Sequence, residues 1–75
     1  MQIFITMPHG RRMTVVVSES FLIGAVKALI KLQERVPVSQ QRLLHMGSDL
    51  DDRHTLSHYQ IKGGFFLAMA RCLKH

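Results

Sequence analysis

The chain is short of several things, and each shortage excludes something. It has one cysteine, Cys72, among 75 residues, so no disulfide can form within it and a reducing compartment is the natural setting. No apolar run approaches the roughly 20 residues that a bilayer-spanning helix needs, and no membrane role is expected. The opening Met1-Gln2-Ile3-Phe4 reads as a strand and lacks a signal-peptide layout, so cytosol or nucleus is expected. Acids are scarce: five Asp/Glu stand against ten Lys/Arg, for a net charge of +5 that favours acidic partners. Only Arg11 and Arg12 adjoin in sequence, and no series of aromatic residues accompanies them as a base-stacking platform. Nucleic acid is therefore not the expected partner.

What is present is the composition of a folded domain. The chain is 47% hydrophobic and 20% charged, which suits one domain over residues 1–75 with a well-filled core. Residues 1–17 read as a hairpin. Ile3, Ile5 and Met7 alternate with Gln2, Phe4 and Thr6, and Met13, Val15 and Val17 alternate on the return, with Pro8-His9-Gly10 as the turn. Ile23, Val26 and Ile30 recur at helical spacing and predict a helix over about 22–35, ended by Val36-Pro37. Leu22 has no capping oxygen, so Ser18 or Ser20 is expected to serve. Gln41-Arg42-Leu43-Leu44-His45 is a strand and Met46-Gly47-Ser48 a turn. Leu50, Leu56 and Ile61 are isolated apolar anchors in an irregular crossover, and Phe65 to Cys72 is a last strand. The predicted class is α+β, a mixed sheet of four or five strands with one main helix across it.

Met1-Gln2-Ile3-Phe4, Lys27-Ala28, Pro37, Gln40-Gln41-Arg42-Leu43, Gly47, Leu50, Asp52, Thr55-Leu56-Ser57, Tyr59 and Ile61 stand in the order and spacing of the ubiquitin family. The chain resembles that family over nearly its whole length, and the stretch from Gln40 to Ile61 is the most specific part. The resemblance implies the β-grasp fold, with the terminal strands parallel and adjacent, and a largely buried Lys27 paired with Asp52. It also implies protein partners: ubiquitin receptors, ligases or proteasome components. No cofactor and no enzymatic activity are implied.

The departures matter as much. Family members act covalently through a tail ending Arg-Gly-Gly, but here the tail is Arg71-Cys72-Leu73-Lys74-His75, with His75 where a glycine is needed. A chain with this tail is expected not to be conjugated. The family's chain-linking lysines are replaced by Thr6, Arg11, Leu29, Gln33, Ser48 and Gly63, and only Lys27 remains. The family's apolar docking patch maps onto Pro8, Leu44, Ala68 and Ala70 beside Arg42, with Leu44 as its central anchor. A second stripe, Phe21, Ala25, Leu29 and Leu32, makes the helix apolar on two sides. Either it is a further interface, with another domain or weakly with a copy of itself, or its side chains fold over the sheet edge. Three function classes follow: a non-covalent binding module, a covalent modifier whose tail is truncated, and an engineered ubiquitin variant. Five histidines, His9, His45, His54, His58 and His75, have no metal-ligand spacing. Adjacent Ser57-His58 lacks the geometry of a nucleophile and its base. Cys72 reads as a half-exposed thiol rather than a nucleophile.

Overall fold

A computed structural model describes residues 1–71. The alternating residues near the N-terminus form β1 (Gln2–Thr6) and β2 (Arg12–Val16), an antiparallel pair in which Ile3 faces Val15 and Ile5 faces Met13. Gly10, at φ 90°, closes the connecting loop in a conformation that side chains disfavour. Three further strands complete the sheet: β3 (Gln41–His45), β4 (Ser48–Asp49) and β5 (Phe66–Arg71). Their order is β2-β1-β5-β3-β4. β5 runs parallel to β1 and antiparallel to β3, so the sheet is mixed, with five strands. Ser48 belongs to β4 rather than to the turn. The turn itself is Met46-Gly47, both at positive φ, as a right-twisted two-residue hairpin connection requires.

One helix, α1 (Ile23–Glu34), lies on the sheet. Its buried residues are Ile23, Val26, Lys27 and Ile30, and they join Ile3, Ile5, Val15, Leu43, Leu67 and Met69 in one core. The expected serine cap is not made. Leu22 occupies the N-cap with no side-chain bond, while Ser18 Oγ accepts the N–H of Ser20 instead. The helix's first amides are satisfied from the crossover: Ile23 N–H donates to the His54 carbonyl and Gly24 N–H to that of Asp52. A tertiary contact thus does what a cap residue does locally. The far end closes on Arg35 in the left-handed region, φ 58°, its N–H on the Lys31 carbonyl at 2.8 Å.

The crossover is irregular and pinned as its anchors predict, with Leu50, Leu56 and Ile61 buried. Tyr59 holds it further, its hydroxyl accepting the N–H of Asp51 at 2.8 Å. Two buried polar side chains tie helix to frame. Lys27 Nζ meets Asp52 Oδ1 at 2.6 Å. Gln41 Nε2 donates to the carbonyls of Lys27 and Val36 at 2.9 and 3.0 Å, supplying the acceptors' partners inside an otherwise apolar core.

Candidate docking surface

Strand alternation decides what the sheet shows on the side away from the helix. Odd residues of β1, β2, β3 and β5 such as Ile3, Val15, Leu43 and Leu67 are buried. The even ones, Phe4, Thr14, Leu44 and Ala68 among them, are half-buried or exposed. β3 and β5 pair so that Leu44 lies opposite Ala68 and Arg42 opposite Ala70. Four of the five patch residues therefore form two adjacent rows. Arg42 is held by a two-point bond, its Nε and a terminal nitrogen donating to Asp49 Oδ1 and Oδ2 at 3.1 and 2.8 Å. That contact keeps the Asp49 carboxyl below its usual range. The small alanines leave Leu44 standing beside a shallow floor.

Pro8 is placed differently. It is exposed in the β1–β2 loop and lines an open pocket of about 390 Å³ with Met7, His9, Glu34, Val36, Met69 and Arg71. None of Leu44, Ala68 and Ala70 lines that pocket, so the loop carries Pro8 on the pocket's rim.

The helix stripe divides. Phe21 and Leu29 are half-buried and pack against the core, whereas Ala25 is exposed and Leu32 is 77% exposed. Two side chains of the stripe thus fold down and two face out.

The sequence reading missed one feature of the sheet face. Phe4 and Phe66 are opposite each other on β1 and β5, their rings stacked at 5.0 Å and 30°. Arg12 places its guanidinium 5.3 Å from the centre of the Phe66 ring. Aromatic residues therefore do accompany a basic one, brought there by pairing across strands far apart in sequence. The available signal was parity: Phe4 alternates out of phase with Ile3 and Ile5, and Phe66 with Leu67 and Met69.

The histidines and Ser57 have ordinary surroundings. His54 and His58 stack at 4.0 Å, and among the described residues no group of three or more His, Cys, Asp or Glu is disposed to hold a metal. The Ser57 hydroxyl is paired with Thr55 Oγ1 at 3.0 Å rather than with His58. Cys72 and His75 lie outside the described residues. Among the described residues no helix is long and apolar enough to cross a membrane.

A five-stranded mixed sheet grasping one helix, with parallel terminal strands and a half-open apolar row on its outer face, defines a ubiquitin-like β-grasp domain. The chain belongs to the ubiquitin family, whose sequence model matches residues 3–73. It is 45% identical over 64 residues to ubiquitin-like protein 4A of Xenopus laevis, covering 85% of this chain and 43% of that protein. It is 44% identical over 64 residues to the Xenopus tropicalis protein of the same name. To the NEDD8-like protein RUB1 of Saccharomyces cerevisiae it is 32% identical over 65 residues, covering 87% of this chain and 84% of that protein. The chain spans less than half the length of the 4A relatives it matches.

Proposed function

We propose that this domain is a non-covalent protein-interaction module that docks through the sheet face around Leu44, within the reach of ubiquitin receptors, ligases or proteasome components. One observation carries the reading: Leu44 and Ala68 sit opposite each other on the outward side of paired strands, flanked by the Arg42–Ala70 row. A half-buried leucine among alanines keeps its fold without using all its apolar surface, and what remains is available to a partner. Arg42, fixed by Asp49, presents a preset charge at the rim, which favours encounter with acidic surfaces. His75, standing where the conjugating tail needs glycine, supports non-covalent action. The cytosol or nucleus suits such a module.

The test is Leu44→Ala in a binding titration against a ubiquitin-receptor helix. The expected loss is about 1–3 kcal/mol with the fold retained, because a central anchor contributes most in a small interface. Unchanged affinity moves the site away from Leu44. The likeness to a NEDD8-like protein over most of that protein's length favours a covalent modifier as the second reading. A thioester formed with a ubiquitin-type activating enzyme and ATP would establish it; none is expected.

A further inference from the structure

The solvent side of α1 carries an apolar seam. Leu22, Ala25, Leu29 and Leu32 follow one another at intervals of 3, 4 and 3 residues, the spacing by which a helix presents a seam to a partner helix. Leu22 is 47% exposed and Leu32 77% exposed. Ala25 and the neighbouring Ala28 are exposed as well, and Leu29 is half-buried. The seam is separate from the buried stripe of Ile23, Val26, Lys27 and Ile30, so packing on the sheet does not account for it.

The seam is complementary to itself in size only when two copies run antiparallel. The pairing that sets Leu22 opposite Leu32 also sets Ala25 opposite Leu29, so each central layer joins a large side chain to a small one. A parallel pairing sets Ala25 on Ala25 and Leu29 on Leu29, leaving one layer loose and the next crowded. Charge selects the same orientation. Glu19 lies just before the helix, and Lys31 and Arg35 lie at its far end. All three are exposed and make no ion pair among the described residues. The neighbouring charges are already engaged, Glu34 by Arg11 and Lys27 by Asp52. Antiparallel copies bring Glu19 of each toward Lys31 and Arg35 of the other, and they place opposite ends of the two helix dipoles together. Parallel copies bring like charges together.

We infer that α1 is the contact surface of a symmetric homodimer, in which two copies of this chain pack their helices antiparallel along Leu22, Ala25, Leu29 and Leu32. The contact is two-fold and uses the same residues on both copies. Four seam residues a side are few against the roughly 20–30 of a stable interface. The dimer therefore forms and dissociates in the high micromolar range rather than being permanent. α1 and the Leu44 row lie on opposite sides of the sheet, so pairing leaves both Leu44 rows open. A partner with two binding sites then meets a bivalent target.

The experiment follows the full chain by sedimentation equilibrium and amide NMR from low micromolar to millimolar concentration. A monomer–dimer equilibrium is expected, with concentration-dependent shifts along residues 22–35 and none at Leu44 or Ala68. Leu32→Glu, at an exposed position that leaves the core intact, should weaken the dimer about tenfold or more. Glu19→Arg and Arg35→Glu should each weaken it about threefold, since single exposed charge pairs are worth little. An equimolar mixture of these two charge variants should recover the parent affinity, because each meets in the other the opposite charge that its own dimer lacks. That rescue requires contact between copies in the antiparallel sense, and damage to the fold cannot give it. A chain that stays monomeric throughout overturns the inference. Shifts confined to the Leu44 row, Leu32→Glu without effect, or no recovery in the mixture overturn it as well.

Discussion

Replacing Asp52 by alanine leaves the Lys27 ammonium without its carboxylate in a site where that side chain is only 9% exposed. Breaking a fully buried pair in this way costs about 3–5 kcal/mol, because the remaining charge is neither solvated nor neutralised. Asp52 itself is 47% exposed, so water enters where its side chain was and the loss falls to about 2 kcal/mol. A domain of this size has a total stability of about 4–11 kcal/mol, which makes the loss large, and it should lower Tm by about 10 °C. Lys27→Met behaves differently. It removes the charge, keeps a flexible apolar chain packed beside Ile23 and Ile30, and leaves Asp52 able to hydrate, so its cost should stay below about 1 kcal/mol. The double variant should match Lys27→Met to within about 0.5 kcal/mol, since no stranded ammonium remains. Urea unfolding of the four chains measures all of this. Equal losses for Lys27→Met and Asp52→Ala, or both within about 0.5 kcal/mol of the parent, would refute a stranded ammonium as the cause.

Met46 is 91% exposed and sits at φ 53°, where it packs on little and strains its backbone. Met46→Asn, suited to this turn, should raise stability by about 0.5–1 kcal/mol in the same assay, and a loss would mean that the methionine side chain has an unrecognised role. Asp49 and Asp51 are held below the usual carboxylate range by Arg42 and by the Arg53 side chain and N–H respectively. Because the folded values are the lower ones, the unfolded chain takes up protons first; the associated stability is present above about pH 4 and is lost as pH falls below it. Arg53→Ala should therefore flatten the acid limb of stability against pH, and an unchanged limb would contradict that. With Leu32 outward and Leu29 packed on the core, Leu32→Glu alone should suppress self-association at high micromolar concentration without loss of stability. Leu29→Lys should cost about 1 kcal/mol. Sedimentation velocity of the parent chain settles the premise, for a clean monomer throughout that range means that the exposed helix strip does not associate.

Most of the frame was legible because it rests on short-range pattern. The period-2 runs at Ile3–Ile5 and Met13–Val17 and the helical spacing of Ile23, Val26 and Ile30 each report a buried face, and the sheet and helix lie where they predict. What escaped was whatever depends on distant backbone. The amides at the start of α1 are capped by carbonyls of residues 52 and 54, which no local capping rule can supply. Ser48 pairs as β4 only because Met46 accepts a left-handed conformation that its chemistry disfavours. Of the candidate surface, the Leu44–Ala68 row could be placed through the family resemblance, while the pocket that Pro8 lines brings together Met7, Glu34 and Met69 from distant parts of the chain. The Phe4–Phe66–Arg12 group joins residues from three strands and is invisible to any window along the chain.

Among the described residues, the last strand of this domain in chain order is the middle strand of its sheet. β5 stands between β1 and β3, so the N-terminal hairpin and the β3–β4 hairpin become one sheet only when residues 66–71 pair with both. During synthesis the first sixty residues can form their hairpins and helix, but the sheet side of the core stays open along the gap that Leu67 and Met69 will fill. An unfilled central slot with unpaired edges on both sides is a template for strands of other chains. A ribosome stalled before Phe66 would thus release a species prone to aggregate rather than a slightly shortened domain. Whatever protects the nascent chain has to act until residues 66–71 have cleared the exit tunnel.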